Sequence, residues 1–446
     1  MPSNLLNASK RPRYNGIDRL TNKVPSLYQQ SIKILFKHVI CVGQRNKRIS
    51  KLQNLPVTVL IMVLEEMSSY PSLRRSLHRE LSDPKLFMRV FMHLGADRSV
   101  LEKCLRKASF LGKPVLPDMA NSWCKMMNAD KTAKNSSQLM NNISAATKLG
   151  TYLQEVGWWN HSKKVLDIAL LLISQVTETQ LYSSLNIECM CKLLRAEGIL
   201  RVTENADETC DALLKLAECI EDDGVLAQIF LEVASYHEKA ERLTESQTWT
   251  TKALELLVET SSIETVVEIL LLKGRILYRN RRYEDGNLVI GQAIHRARST
   301  FGFHDRRYAN ALFTYGACLM MTASNYSTAI SVLLEPLDIF SKLYGNVTPQ
   351  VAVIHFYLAY GLYYRDIGLF DVASAYDSIQ RAILLAEQIM PERRQFIDLC
   401  GEVRAAILTE LNECLGEESG NRAGLEDFQI LTVAEIKQKC TRRCLE

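Results

Sequence analysis

The feature that most constrains the fold is a small residue that returns at regular intervals. Ala234, Gly274, Gly316 and Gly361 are spaced by roughly forty residues, the length of two helices with a turn and a connection. A small residue is needed wherever the backbones of two helices approach closely. The spacing therefore predicts an all-α protein in which helical hairpins stack into an α-solenoid.

The residues around the small positions repeat as well. In the clearest copy Gly150 is followed by Gly157-Trp158-Trp159 and then by Ser162, as expected for two amphipathic helices separated by a tight turn. These intervals resemble the tetratricopeptide repeat. We predict that six small residues pack one helix of a repeat against another: Gly150, Gly157, Gly274, Gly316, Ala329 and Gly361.

The connections between repeats carry a second signal. Phe301-Gly302 and Tyr344-Gly345 each precede a residue that can restart a helix, Asp305 in the first case and Pro349 in the second. These linkers resemble those of kinesin-light-chain-type repeats.

The charge distribution and the polar stretches divide the chain. The first fifty residues carry ten Lys or Arg against the single acid Asp18. We interpret residues 1–22 as a disordered basic leader; the alternatives are a nuclear-import patch or a segment that contacts RNA or a membrane surface. Residues 23–130 are predicted to be helical without repeats, with helices over 26–39 and 56–67. A polar stretch precedes the solenoid, predicted over 143–415, and residues 416–446 are predicted to be a poorly ordered tail.

Motifs that carry catalysis or bind metals are absent from the sequence. There is no phosphate-binding glycine loop, no HExxH pair and no nucleophile elbow. The pairs Cys189/Cys191 and Cys440/Cys444 lack a matching second half, as a zinc site would need. We therefore predict no enzymatic activity, no cofactor and no metal. An enzyme whose catalytic residues lie far apart in sequence stays open as an alternative.

The hydropathy of the sequence indicates where in the cell the protein is expected. The sequence has no apolar run long enough to cross a membrane, and its amino terminus lacks the apolar core of a signal peptide. We expect a cytoplasmic or nuclear protein, whose twelve cysteines are reduced thiols that mostly pack inside helices.

Two apolar stripes lie upstream of the repeats. Leu27, Ser31 and Leu35 share one helical face, with a small residue between two leucines. This arrangement has the form of an elongin C-binding box.

The second stripe follows about twenty residues later in the form of a cullin-2 box. Leu55-Pro56 precedes Val59 and Val63, which again share one face, and Pro56 can occupy the first turn of a helix. Any amphipathic helix offers such spacing, so the order and separation of the two stripes carry the prediction rather than either stripe alone.

Several stretches together resemble the amyloid protein-binding protein 2 family, diffusely and over nearly the whole chain. They are Ser26-Leu27-Tyr28, residues 48–56, Gly157-Trp158-Trp159, Arg307-Tyr308, Thr314-Tyr315-Gly316, Leu358-Ala359-Tyr360 and residues 405–411. Members of that family continue for several more repeats. In the repeat around Gly361, two extra residues between Ala373 and Ala382 are expected to distort the second helix.

The resemblance implies two functions. The first is a substrate receptor of a cullin-2 RING ubiquitin ligase, in which Leu27, Ser31 and Leu35 meet elongin C, while Leu55, Pro56, Val59 and Val63 meet cullin-2. The second is a cargo adaptor linked to kinesin and microtubules that binds cytoplasmic tails such as that of the amyloid precursor protein. Either function implies that the chain binds other proteins and associates with microtubules or membranes. Neither implies binding to a specific nucleic acid.

Overall fold

The computed structural model describes residue 34 and residues 52–95, 97–109, 113–129, 136–176, 180–258, 261–322, 325–365 and 369–416. The chain divides into two units, Met1–Ile49 and Ser50–Glu446, and the fold described below is that of the second. Every regular element in the described residues is helical, which confirms the predicted all-α class. None of these helices is long and apolar enough to span a membrane.

Five helices precede the repeats and pack into a small bundle. They are α1 (Val57–Ser69), α2 (Arg74–Leu81), α3 (Pro84–Leu94), α4 (Ser99–Ala108) and α5 (Val115–Ala129). Leu60, Met67, Leu77 and Phe87 have no exposed surface and form the centre of this bundle. The helix predicted over 56–67 corresponds to α1. Of the helix predicted over 26–39, only Ile34 is among the described residues, and it is helical.

Twelve further helices form six hairpins, and a last helix, α18, packs on the sixth. The first helices of the hairpins are α6 (Ser136–Val156), α8 (Gln180–Leu200), α10 (Asp223–Lys239), α12 (Ile263–Arg279), α14 (Arg306–Leu319) and α16 (Pro349–Arg365). The second helices are α7 (Trp159–Ile173), α9 (Thr203–Ala217), α11 (Leu243–Glu255), α13 (Tyr283–Phe301), α15 (Tyr326–Tyr344) and α17 (Leu369–Ile389), and α18 covers Arg394–Gly416. The predicted α-solenoid is therefore confirmed, although it begins at Ser136 rather than at residue 143.

Small residues allow the two helices of a hairpin to approach closely. A Cβ atom added at Gly274 would lie 2.3 Å from Cγ1 of Ile290, and one added at Gly316 would lie 2.6 Å from Cγ of Leu333. The same addition at Gly150 would meet Leu166 at 2.7 Å. At Gly361 the close contact is with the preceding hairpin, because an added Cβ atom would lie 2.4 Å from Cε of Met320. These distances are too short for any side chain larger than hydrogen.

Two hairpins add a hydrogen bond across the same contact. The hydroxyl of Ser162 donates to the carbonyl of Gly150, and that of Ser246 donates to the carbonyl of Ala234, each at 2.8 Å. In the fifth hairpin Ala329 is fully buried, and its carbonyl oxygen lies 3.5 Å from the Cβ position at Gly316.

The first four hairpins close with one kind of turn. Gly157, Arg201, Glu241 and Arg281 occupy equivalent positions and have positive φ angles. In each turn the next residue donates its N–H to a carbonyl in the last turn of the first helix, as Trp158 does to Leu153 at 2.7 Å. This is the Schellman pattern that terminates helices. Three of the four residues are not glycine, so their left-handed conformation costs about 1 kcal/mol each and depends on the surrounding packing.

The second hairpin has no glycine at either of these positions. Leu194 takes the place of the small residue on the first helix, and Ala206 faces it on the second; both are fully buried. The predicted pattern did not include this repeat. The expected distortion near Gly361 is also not seen, because α17 is continuous through Ala373 and Ala382, which are both buried.

A junction, made of Arg98, Glu102, Glu155, Arg306 and Gln350, connects distant parts of the second unit. The carboxylate of Glu155, near the end of α6, pairs with Arg98 at 3.2 Å and with Arg306 at 2.8 Å. The side-chain amide of Gln350 donates to the carbonyl of Glu155 at 3.3 Å. The first hairpin is therefore bonded to the bundle and to the starts of the fifth and sixth hairpins.

A cavity of about 20 Å³ beside this junction is lined by residues that include Glu102, Tyr152, Tyr344 and Thr348. Burial, together with the nearby carboxylate of Glu155, raises the pKa of Glu102 to about 7 against the opposing effects of Arg98 and Arg306. Charge on Glu102 is therefore unfavourable in the folded protein.

We predict that Gly274→Ala destabilises the protein by about 1–3 kcal/mol, because the fully buried Ile290 has no room to move away from the added methyl group. The matched control is Gly291→Ala on α13, an exposed position with no atom within 4 Å of the added Cβ. That change should stabilise the helix by roughly 0.5–1 kcal/mol. Urea unfolding of both variants measures the difference, and equal effects would contradict the close-contact explanation.

We predict that Glu102→Gln stabilises the protein more at pH 8 than at pH 5. A carboxyl group whose pKa is raised on folding binds its proton more tightly in the folded state, so the wild type loses stability as pH rises from 4.5 towards 7. Glutamine does not titrate and removes this loss. Thermal melts should show a gain of roughly 2–4 °C at pH 8, measured against the exposed control Glu284→Gln.

Candidate partner-binding surfaces

The predicted elongin C-binding residues Leu27, Ser31 and Leu35 lie outside the described residues. The predicted cullin-binding residues are described, and they surround the start of α1. Pro56 is the residue before the helix and is exposed, while Leu55 and Val59 are half-buried. Val63 is only 8% exposed and packs in the bundle itself. Three of the four predicted residues, Leu55, Pro56 and Val59, are therefore at least partly exposed to a partner. The fourth, Val63, is buried in the bundle beneath them.

Arg89, on α3, fixes the segment that leads into this surface. Its guanidinium donates to the carbonyl of Leu55 at 2.7 Å and also to the carbonyl of Gln53. The side chain of Gln53 in turn donates to Asp83 at 2.9 Å, and Asp83 caps the amino terminus of α3. The Leu55-Pro56 turn is therefore held against α3. Sequence patterns gave no sign of Arg89, because it lies on a separate helix.

A second candidate surface is the first-helix face, formed by the first helices of successive hairpins, α6, α8, α10, α12, α14 and α16. On the second, third and fourth hairpins it carries charged residues that bond from one hairpin to the next. Arg195 on α8 donates to Glu232 on α10 at 2.8 Å and to Glu268 on α12 at 3.0 Å.

In this first ion group the attraction between opposite charges outweighs the cost of burying them. Burial by itself would raise the pKa of Glu268, but attraction to Arg195 outweighs it and lowers the pKa to about 2. Glu232 is fully buried, and Arg195 is 22% exposed. Two carboxylates therefore share one guanidinium, and the group joins three hairpins.

The second ion group on this face surrounds Glu238, whose side chain is 2% exposed. Lys239 lies 3.1 Å from its carboxylate, Arg275 lies 3.3 Å away and Arg279 lies 3.7 Å away. Burial would raise the pKa of Glu238, but the three cations, led by Arg275, lower it to about 2. This Glu238 cluster joins the third hairpin to the fourth.

Three buried cysteines lie in the bundle and in the first helices of the hairpins. Burial raises the pKa of the Cys104, Cys189 and Cys318 thiols to about 12, so these cysteines pack as neutral groups and are poor nucleophiles. Within the described ranges, no group of three or more His, Cys, Asp or Glu side chains is placed to hold a metal ion.

Comparison with known proteins gives distant relatives. No family model matches the chain. Amyloid protein-binding protein 2 from Rattus norvegicus and its counterpart from Mus musculus are each 22% identical to the chain over 355 residues, covering 77% of it. The chain spans 59% of the length of these curated relatives.

Two solved structures show a weak structural similarity to the chain. A signal-transduction ATPase with a tetratricopeptide repeat sensor from Pyrococcus horikoshii has a TM-score of 0.41 at 15% identity, covering 79% of this chain and 54% of that one. BtubC (BKLC) from P. vanneervenii has a TM-score of 0.26 at 15% identity, covering 67% of this chain and 100% of that one.

Proposed function

We propose that this chain is the substrate-receptor subunit of a cullin-2 RING ubiquitin ligase. In this proposal the residues around Leu27 bind elongin C, the surface at Leu55, Pro56 and Val59 binds cullin-2, and the first-helix face holds a peptide signal of a target protein. The observation that carries the proposal is the apolar turn at Leu55-Pro56, which Arg89 holds at the surface of a bundle whose other leucines are largely buried. The distant similarity to amyloid protein-binding protein 2 supports it.

The proposed mechanism is proximity, and the chain itself makes and breaks no covalent bond. A receptor that binds both the ligase and a target raises the local concentration of target lysines near the charged ubiquitin. Such a receptor needs its two binding surfaces held at a fixed separation. Rigid hairpins joined by ion pairs such as Arg195–Glu232 suit this requirement.

A second candidate function is a cargo adaptor that joins cytoplasmic tails of membrane proteins to kinesin or microtubules. The observation that favours it is the name of the curated relatives, amyloid protein-binding protein 2. In this case the first-helix face binds a tail such as that of the amyloid precursor protein. Both proposals place the protein in the cytoplasm, with nuclear and microtubule- or membrane-associated pools.

We predict that Val59→Asp lowers recovery of cullin-2 by about tenfold or more, since a charge at the centre of an apolar contact is not compensated. The matched control is Thr58→Asp, the exposed neighbour of Val59 on the same helix turn. Purified full-length variants, immobilised and incubated with elongin B/C and cullin-2, give the measurement. Equal recovery by the two variants would reject this surface as the cullin site.

The elongin site is tested separately with Leu27→Asp, which should abolish recovery of elongin C and with it cullin-2. Unchanged recovery would contradict the box assignment. Kinesin heavy chain recovered from cells by the wild type, without elongin or cullin, would favour the cargo adaptor.

A further inference from the structure

We propose that the exposed side of α3 extends the surface at Leu55-Pro56 and contacts an acidic region of the protein that binds there. The proposal rests on the partner-binding role given to that surface above, where the partner is cullin-2. It adds the chemistry of the partner and a second helix that recognises it. We name this side of the helix the α3 face; it comprises Lys85, Arg89, Met92 and His93.

Arg89 joins the α3 face to the Leu55-Pro56 turn. Its guanidinium donates to the carbonyl of Leu55 at 2.7 Å and also to the carbonyl of Gln53. The turn and the α3 face are therefore adjacent. A specific protein interface buries about 800 Å² of each partner, which is more than one turn of chain can supply. A partner seated on Leu55-Pro56 therefore also covers part of α3.

The exposed residues of α3 lie along one side of the helix. Lys85, Arg89 and His93 follow one another at intervals of four residues, which places them on one face. Met92 lies on the same side and is 39% exposed. The sequence of α3 contains no acidic residue. The α3 face is therefore basic with one apolar side chain, and both Met and Arg are enriched at protein interfaces.

The two strong cations of the α3 face have no ion-pair partner. Among the described residues, no carboxylate forms a salt bridge with Lys85, and Arg89 donates to neutral backbone carbonyls. The nearest carboxylate along the chain is Asp83. It accepts from the side chain of Gln53 and from two backbone N–H groups at the start of α3. The positive charge of the α3 face is therefore not neutralised by a salt bridge.

Other cations of the same bundle are paired. Arg98 lies 3.2 Å from the carboxylate of Glu155, and Lys103 lies 2.9 Å from that of Glu65. The bundle thus pairs the charges that connect its own helices and leaves unpaired the charges beside its exposed apolar turn. Charges at the edge of an apolar contact attract a partner of opposite sign and oppose the binding of others.

The sign of the charge selects the occupant. The first fifty residues of the chain carry ten Lys or Arg against one acid, so they are poorly matched in charge to the α3 face. A second copy of the chain that set its own α3 face against this one would be repelled for the same reason. The occupant is therefore an acidic region of another protein.

The test compares association rates, because charges at the edge of an interface mainly affect the rate of encounter. The full-length wild type and Lys85→Glu are immobilised, and binding of purified elongin B/C with cullin-2 is followed by surface plasmon resonance. We expect Lys85→Glu to lower the association rate about tenfold at ~50 mM salt but only about twofold at ~500 mM salt, with little change in the dissociation rate. Glutamate is favourable in the first turn of a helix, so the variant should keep its fold.

The matched control is Arg296→Glu on α13, an exposed position where the substitution changes the total charge by the same amount. It should bind like the wild type at both salt concentrations. The contrary result is equal association of Lys85→Glu and Arg296→Glu, with cullin-2 bound by the wild type and lost in Val59→Asp. That result would overturn the acidic contact and leave the ligase role intact.

If the wild type binds no cullin-2, the ligase role fails, and a carbodiimide cross-link decides the acidic contact. This reagent joins a lysine amine directly to a carboxylate with loss of water. Complexes isolated from cells with the wild type are cross-linked and digested, and mass spectrometry locates the bonds. A bond from Lys85 to an Asp or Glu of a protein whose recovery is lost with Val59→Asp supports the proposal, and the absence of such a bond overturns it.

Discussion

The close approach of the two helices within each hairpin is the constraint on which the solenoid depends. In three hairpins a glycine on the first helix leaves space for a branched side chain on the second, as Gly274 does for Ile290. Because the two backbones nearly touch there, the following turn must reverse the chain within a few residues. The left-handed turn residues, such as Gly157 and Arg281, follow from this requirement. Stacking of the hairpins then forms a continuous apolar core, with clusters that pass from one hairpin to the next.

The sequence predicts this architecture where a glycine or alanine on the first helix marks the contact, and fails where a larger residue takes that place. Glycines report on backbone geometry, so Gly274, Gly316 and Gly361 were enough to predict hairpins and their spacing. The second hairpin has Leu194 at the contact and Arg201 in the turn, and nothing local distinguishes them from residues of any other helix. There the fold is imposed by the neighbouring hairpins rather than by local preference.

The candidate surfaces are harder to predict than the fold because the residues that form each surface are far apart in sequence. The apolar residues around Pro56 were visible as a stripe, but the pattern could not separate Val63, which is buried, from Val59, which is half-exposed. The charges of the first-helix face show the same difficulty. Arg195 and Glu268 meet only because the second, third and fourth hairpins stack on one another, and a charged residue on a helix usually indicates solvent exposure.

The hydrogen bond between Gln350 and the carbonyl of Glu155 affects how the molecule unfolds. A linear array of repeats can fray from either end, since each unit contacts only its neighbours. Here the junction joins the first hairpin to the sixth, across 195 positions of sequence. Loss of the sixth hairpin would therefore also loosen the first, so that the two ends should exchange their amide hydrogens as a single cooperative unit. Forming such a long-range contact also slows folding, because a large loop must close before the contact is gained.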